Sequence, residues 1–388
     1  MIRRDFLKAL GLSVPALHAA LAQSGRSPKT LVTIFLRGGV DGLSMVQPSG
    51  DGALTGLRPS LLHRGLTLDG FFTLHPSMSA LAPLYSARKL AIVHAVGQAQ
   101  PSRSHFEAQD FIESGLAGAK RRDGFLNRAL ASIVSTDPFR AVAVQNALPL
   151  SLAGDAPALA FPSLKEFRVF GGEAASATFE SLYAGAVDEA LRTSGDEAFD
   201  GLDAVKQKGL AVMEAANGAS YPKSPLGRRL QDLARLVRAD VGLRIGATEA
   251  GGFDTHLNQG ADQGQLGTRL QDLAQSLAAF AIDLGPKLDD VVVVTLTEFG
   301  RTARENGTRG TDHGTASAMF VLGGGVQGGR VLADWPGLAP SKLFEQRDLA
   351  VTTDLRSVLV ECLAGAEVPA RPGDVFPGFT ARPLRLFG

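Results

Sequence analysis

Residues 291–325 constrain the chain most; they read VVVVTLTEFGRTARENGTRGTDHGTASAMFVLGGG. An apolar, β-branched run ends on an acid, Glu298. A Gly-rich polar loop follows and carries Asp312 and His313. A second apolar run, Ala318 to Leu322, then stops at three glycines. Unbroken β-branched runs of this length suit buried strands, so the stretch predicts strand, polar loop, strand. Acid and imidazole side chains held in a loop between buried strands suit a metal-dependent hydrolase.

Other stretches repeat the pattern. TLVTIFL at 30–36 predicts a strand that runs into Arg37-Gly38-Gly39, with Asp41 just past its carboxyl end. KLAIVHAV at 89–96 predicts a second strand, followed by Ser102, Arg103, Ser104 and His105. VGLRIGA at 241–247 predicts a third, followed by Asp254 and His256. VVVVTLT leads to Glu298, and His313 precedes a fifth strand. Ligands of open α/β sheets gather outside the carboxyl ends of the strands, so these endings predict one common site at one sheet edge. Carboxylates mixed with imidazoles suit Zn²⁺, Mn²⁺ or Mg²⁺ rather than a thiolate-bound metal.

Ser104-His105-Phe106-Glu107 matches the S-x-x-E capping box, so a helix is expected to start there with Ser104 as its N-cap. A helix N-terminus also favours an anion. Ser104, or Ser102 in its place, is therefore a candidate nucleophile, with His105 and Arg103 adding positive charge beside it. Arg37, Arg103 and Arg301 flank the clusters and are candidates for binding an anionic substrate. Each also has a plainer reading: Asp41 as a turn aspartate before glycine, the arginines as surface or structural residues. Among the other histidines, His63 is expected to be exposed, His75 to lie in a loop and His94 in the core.

Residues 120–240 carry less information. FRAVAVQNALPLSLAG suggests a strand or two, and Ala-rich stretches near 174–192 and 199–216 suggest helices. Arg-Leu-Gln-Asp-Leu-Ala occurs twice, within two similar amphipathic helices expected over 226–240 and 266–284. A late helix is expected over 351–364, capped by Thr353 or Asp354.

With 388 residues, 45% of them hydrophobic, the chain can bury a large core, and a formal net charge of zero gives no sign of nucleic-acid binding. The single cysteine, Cys362, excludes an intrachain disulfide and is expected to be buried and inert. Neither GxxxxGK[ST], G-x-S-x-G nor HExxH occurs.

Met1 to Ala22 is read as a leader. Arg3-Arg4 before Phe6-Leu7-Lys8, a short apolar segment and Ala20-Leu21-Ala22 resemble a twin-arginine export signal with a small-x-small cleavage site. The apolar part is too short for a stable membrane span. The mature chain, 23–388, is expected to be a single α/β domain, exported folded through the twin-arginine machinery to the periplasm or beyond.

RGGVDGL, PSRSHFEAQDFIESG, GGFDTHLNQ, TEFGRTARENGTRGTDHG and VTTDLRSVL together resemble a family of exported bacterial proteins known as domain of unknown function fifteen-oh-one. That family is placed with the alkaline phosphatase and sulfatase superfamily. The resemblance implies an alkaline-phosphatase-like α/β fold: a mixed, mainly parallel sheet between helical layers, with a divalent metal site at the strand ends. Zn or Mn is the expected ion, with Mg or Ca as alternatives, and one or two ions are expected.

The superfamily's motif order maps Asp41 and then Ser104 or Ser102 onto its first two positions. Asp254 and His256 map onto a D-x-x-x-H pair, with shorter spacing here. Asp312-His313-Gly314 matches the next motif, Asp-His-Gly, but leaves no final His. The preferred alignment puts Glu298-Phe299-Gly300 in that place and His313 last. One metal is then held by Asp254, His256 and His313, the other by Asp41, Glu298 and the serine. Asp312 is either a ligand or a partner of His313. The implied activity is metal-dependent hydrolysis of phosphate mono- or diesters, on an anionic small molecule or polymer. A non-catalytic exported scaffold or polysaccharide-associated protein is the alternative. A sulfatase is less favoured, because the C/S-x-P-x-R pattern is absent.

Overall fold

The structure, a computed structural model, describes residues 28–116, 122–168, 180–184 and 189–388. The leader therefore lies outside the described residues. Nine strands form the central sheet: β1 Thr30–Leu36, β2 Leu90–Gly97, β3 Ala141–Val144, β4 Leu159–Phe161, β5 Ile245–Ala250, β6 Val291–Leu296, β7 Ser317–Gly323, β8 Arg330–Leu332 and β9 Thr353–Asp354. Their order is β8-β2-β7-β6-β1-β5-β3-β4, with β9 also paired to β2. Every pairing is parallel except those of β7, which runs antiparallel to both β2 and β6. The sheet is thus mixed and mainly parallel, as expected.

Parallel strands are covered on both faces, and β1 shows this residue by residue. Val32, Ile34 and Leu36 pack into one core cluster, and Leu31 and Phe35 into another. Five helices carry most of the covering: α1 His105–Ser114, α2 Glu189–Gln207, α3 Pro225–Arg238, α4 Gln265–Leu284 and α5 Leu355–Gly365. Leu230 and Leu233 of α3 and Leu270 and Leu273 of α4 join the first cluster. Ile112 of α1 and Val358, Leu359 and Leu363 of α5 join the second. Each such side chain contributes about 1.5–3 kcal/mol on full burial.

Several elements differ from the sequence pattern, each for a local reason. The third strand starts at Ile245 rather than Val241, because Gly242 adopts a left-handed φ of 74° that interrupts the extended run. The helix expected to reach residue 216 ends at Gln207, just before Gly209 at φ 59°. The helix expected over 174–192 falls largely outside the described residues. Asp354 caps α5, accepting from the Arg356 N–H. Ser104 occupies the N-cap position of α1, but its side chain makes no capping hydrogen bond. Ser102 Oγ instead donates to Glu107 at 2.6 Å, so the capping box does not form.

His63 is buried rather than exposed, because its Nε2 donates to the Ser44 carbonyl at 2.7 Å. His94 is fully buried in the core, and Cys362 is buried with its thiol pKa pushed up by desolvation.

Candidate metal centre

All the parallel strands present their carboxyl ends at one edge of the sheet, and antiparallel β7 begins there. The segment after β5 brings Asp254 and His256 to this edge; the segment after β6 brings Glu298, Phe299 and Arg301. The chain then returns beside itself. Gly300 N–H donates to the Thr315 carbonyl, Gly314 N–H to that of Gly300, and Thr302 N–H to that of Asp312. This pairing sets Arg301 across from His313. The segment after β2 leads into α1, whose first residue is His105.

Three imidazoles meet one carboxylate there. His256 Nε2 lies 2.9 Å from Asp254 Oδ1, His313 Nε2 3.2 Å from the same oxygen and His105 Nε2 3.5 Å from Oδ2. His256 Nε2 and His313 Nε2 are 2.9 Å apart. Ligand atoms of His105, Asp254 and His313 all lie within 4.8 Å of one another.

The opposite nitrogen of each ring settles which one carries the proton. His105 Nδ1 faces Glu298 Oε1 at 2.8 Å, His256 Nδ1 faces Asp312 Oδ1 at 3.0 Å and His313 Nδ1 faces the Arg103 carbonyl at 2.8 Å. Carboxylate and carbonyl oxygens only accept, so each Nδ1 donates. A neutral ring then turns an Nε2 lone pair inward. The His105 Nε2 is buried and has no hydrogen-bond partner. Three inward lone pairs and a carboxylate repel one another unless a cation lies among them. Ligating imidazoles characteristically give their other N–H to a carboxylate or carbonyl, and the donor set fits a divalent ion.

The electrostatics agree. Burial and the nearby Arg301 and His105 lower the His313 pKa, which keeps its ring neutral. Burial alone would raise the Asp254 pKa, but Arg301, His256 and His313 together hold it low. Glu298 is likewise held low against its burial, by hydrogen bonds from Gln109, His105 and the Gly38 N–H among others. Asp312 is held low against desolvation by His256 and Asn306.

The structure separates the remaining candidates. Asp41 is fully buried and shares no partner with Glu298. Its Oδ2 accepts from Arg58 Nη1 and Gln259 Nε2, both at 2.6 Å; burial alone would raise its pKa, but the Arg58 guanidinium together with hydrogen bonds from Ser44 and Gln259 lowers it. Gln259 Oε1 in turn accepts from Thr255 and Thr311, bracing the segments that carry His256 and Asp312.

Arg37 is taken up by Glu113 and Glu249, and Arg103 by Asp348 and Glu345. Arg301 is buried and donates to Asp254 Oδ1 at 2.6 Å and to the carbonyls of Gly38, Gly39, Phe253 and Thr311. Ser104 is exposed beside His105. Phe299 packs under the centre, its ring centroid 4.8 Å from those of both His105 and His313. Gln109, Gln259 and Arg58 escaped the sequence reading, because only the fold sets their partners: Glu298 and Asp41 lie 189 and 218 residues from the two glutamines, and Asp41 lies 17 from Arg58 with no local pattern linking them.

Fold and site together define an α/β protein with an imidazole–carboxylate centre at the carboxyl edge of its sheet. The chain belongs to the family described as "Protein of unknown function (DUF1501)", which matches residues 28–367. No curated protein matches it.

Solved structures to which it is similar include the C-terminal periplasmic domain of EcEptC from Escherichia coli in complex with Zn, at 8% identity and TM-score 0.39, over 78% of this chain and 74% of that one. The PsFucS1 sulfatase from Pseudoalteromonas sp. is another, at 12% identity and TM-score 0.39, over 91% and 70% of the two chains. A third is the alkaline phosphatase from the Antarctic bacterium TAB5, at 10% identity and TM-score 0.37, over 88% and 99%.

Proposed function

We propose that the protein is a metal-dependent hydrolase of phosphate esters that acts outside the cytoplasm. The convergence of three imidazole Nε2 atoms on the Asp254 carboxylate, with every Nδ1 held from behind, carries this reading. Asp254, His105 and His313 would hold one divalent ion, with His256 as a fourth donor. All are N or O donors, which suits Zn or Mn. The second site expected from the sequence is largely taken up within the fold: Glu298 is engaged by His105, Gln109 and Gly38 and Asp41 Oδ2 by Arg58 and Gln259, which leaves the buried, unpartnered Asp41 Oδ1 and the serine hydroxyl.

A bound ion would polarise the phosphoryl oxygen of the ester. Ser104 stands at the start of α1, where the helix N-terminus favours the negative charge of a substrate. Its hydroxyl makes no cap and is the candidate nucleophile. Arg301 fixes the orientation of Asp254. Export follows from the leader at Met1–Ala22, and among the described residues no helix is long and apolar enough to cross a membrane.

One observation favours a second reading, an exported scaffold that keeps a structural ion. Arg37, Arg103 and Arg301 are all neutralised by carboxylates, leaving none of them free for a phosphate.

Elemental analysis of the natively exported protein should find one Zn or Mn per chain, and the same protein should hydrolyse an aryl phosphate. Ser104→Ala should lower kcat by about 100-fold or more if its oxygen is the nucleophile. Metal-free protein that cannot be reconstituted overturns the hydrolase, and full activity in Ser104→Ala leaves water as the nucleophile. Stoichiometric metal without turnover of any phosphate ester supports the scaffold.

A further inference from the structure

Nine large apolar side chains are exposed among the described residues, and three of them adjoin residues that form or hold the metal centre. Phe106 follows His105 directly and is 87% exposed; Leu257 follows His256 directly and is 54% exposed. Phe344 is 39% exposed, and its ring faces the guanidinium of Arg103, whose carbonyl holds His313.

Phe106 stands three residues before Gln109 on α1, so the two share one ridge of the helix. Gln109 Nε2 donates to Glu298, the residue that holds His105. The exposed ring therefore stands on the same ridge as the side chain that holds Glu298. Neither α1 nor the core gains from a solvated phenyl ring at this place, whereas a hydrocarbon group laid against it would.

We propose that Phe106, with Leu257 and Phe344, forms an apolar rim that takes the hydrocarbon part of an anionic ester, so that the substrates are amphiphilic phosphate esters rather than small polar ones. This proposal rests on the hydrolase reading for the chemistry but has its own test in binding. Methyl and hexyl esters have leaving groups of similar basicity, so their comparison isolates the rim.

Calorimetry of methylphosphonate and hexylphosphonate on the metal-loaded protein should show the hexyl compound binding at least tenfold tighter, since each fully buried methylene is worth a factor of about four and burying two of the five added ones already exceeds tenfold. Phe106→Ala should bring the two phosphonates close to parity, and Phe106→Leu should keep part of the preference. The kcat/KM values for methyl and hexyl phosphate should follow the same order.

Equal affinities, a preference unchanged in Phe106→Ala, or no binding of either phosphonate overturns the rim. Selective binding without turnover of either ester keeps the rim and removes the hydrolase. Turnover indifferent to chain length keeps the hydrolase and removes the rim.

Discussion

Glu298 and Asp312 do the same job from opposite exposures. Glu298 is buried and accepts from His105, Gln109 and the Gly38 N–H, whereas Asp312, near the surface, accepts from His256 and Asn306. A carboxylate behind an imidazole fixes the ring and raises its basicity, and removing such a partner typically costs 10–100-fold in metal affinity. Solvent screens Asp312 but not Glu298. Glu298→Gln, which keeps one accepting oxygen, should therefore weaken Zn²⁺ binding by roughly 100-fold and Asp312→Asn by about tenfold. Competition against a chelating dye measures both. Equal affinities in the two variants and the parent would mean that these carboxylates do not act through the metal. From sequence, His105 reads as a helper of an N-cap serine, because S-x-x-E is a local pattern. Its actual partner is 193 residues away, and no local pattern encodes that.

The elements that form the centre's floor depend on the two glycines after β1. After β1 the chain turns through Gly38 and Gly39, and Gly39 has φ 65°, in the left-handed region. A Cβ placed there would lie 2.4 Å from Phe299 Cε2. Gly39→Ala therefore meets backbone strain and must also push Phe299, which supports both the His105 and His313 rings. The cost should be about 1–3 kcal/mol in urea unfolding, together with weaker metal binding measured on the folded protein. Lost stability with unchanged metal affinity would show that Phe299 is not a support of the site. The strands themselves were easy to read, since Thr30–Leu36 and Val291–Leu296 are uninterrupted β-branched runs. What the runs could not show is the work of the residues just beyond them. Phe299, read as a residue standing where a ligand belongs, is the packing surface of two imidazoles, and Asp41, read as a ligand, is neutralised by Arg58.

Acid should reach the whole molecule through three histidines remote from the metal centre. His63, His75 and His94 are buried, and each gives its Nε2–H to a backbone carbonyl, of Ser44, Ala261 and Val46 respectively. His75 and His94 tie the segment between β1 and β2 to the rest of the fold, and His63 braces that segment internally. Burial dominates their titration: it lowers His63 and His94 to about 4 and lowers His75 as well. In the unfolded chain these rings titrate near 6.5, so between about 6.5 and 4 the unfolded state binds more protons and stability falls as pH falls. The contribution is complete above about pH 6.5, and each of His63 and His94 then accounts for on the order of 3 kcal/mol lost by pH 4. Two such losses are large beside the 5–15 kcal/mol that holds a typical domain together. Asp41 acts in a lower window, since its depressed pKa stabilises the fold until the pH falls below the ordinary carboxylate range. His63 isolates the effect, because its Nδ1 is buried with no partner and protonation would place a donor there with nothing to accept it. In His63→Gln the amide can still reach the Ser44 carbonyl but does not titrate. Urea midpoints in the presence of chelator should fall steeply from pH 7 to pH 5 in the parent and less in His63→Gln. The same slope in both would mean that the acid sensitivity of the fold lies elsewhere.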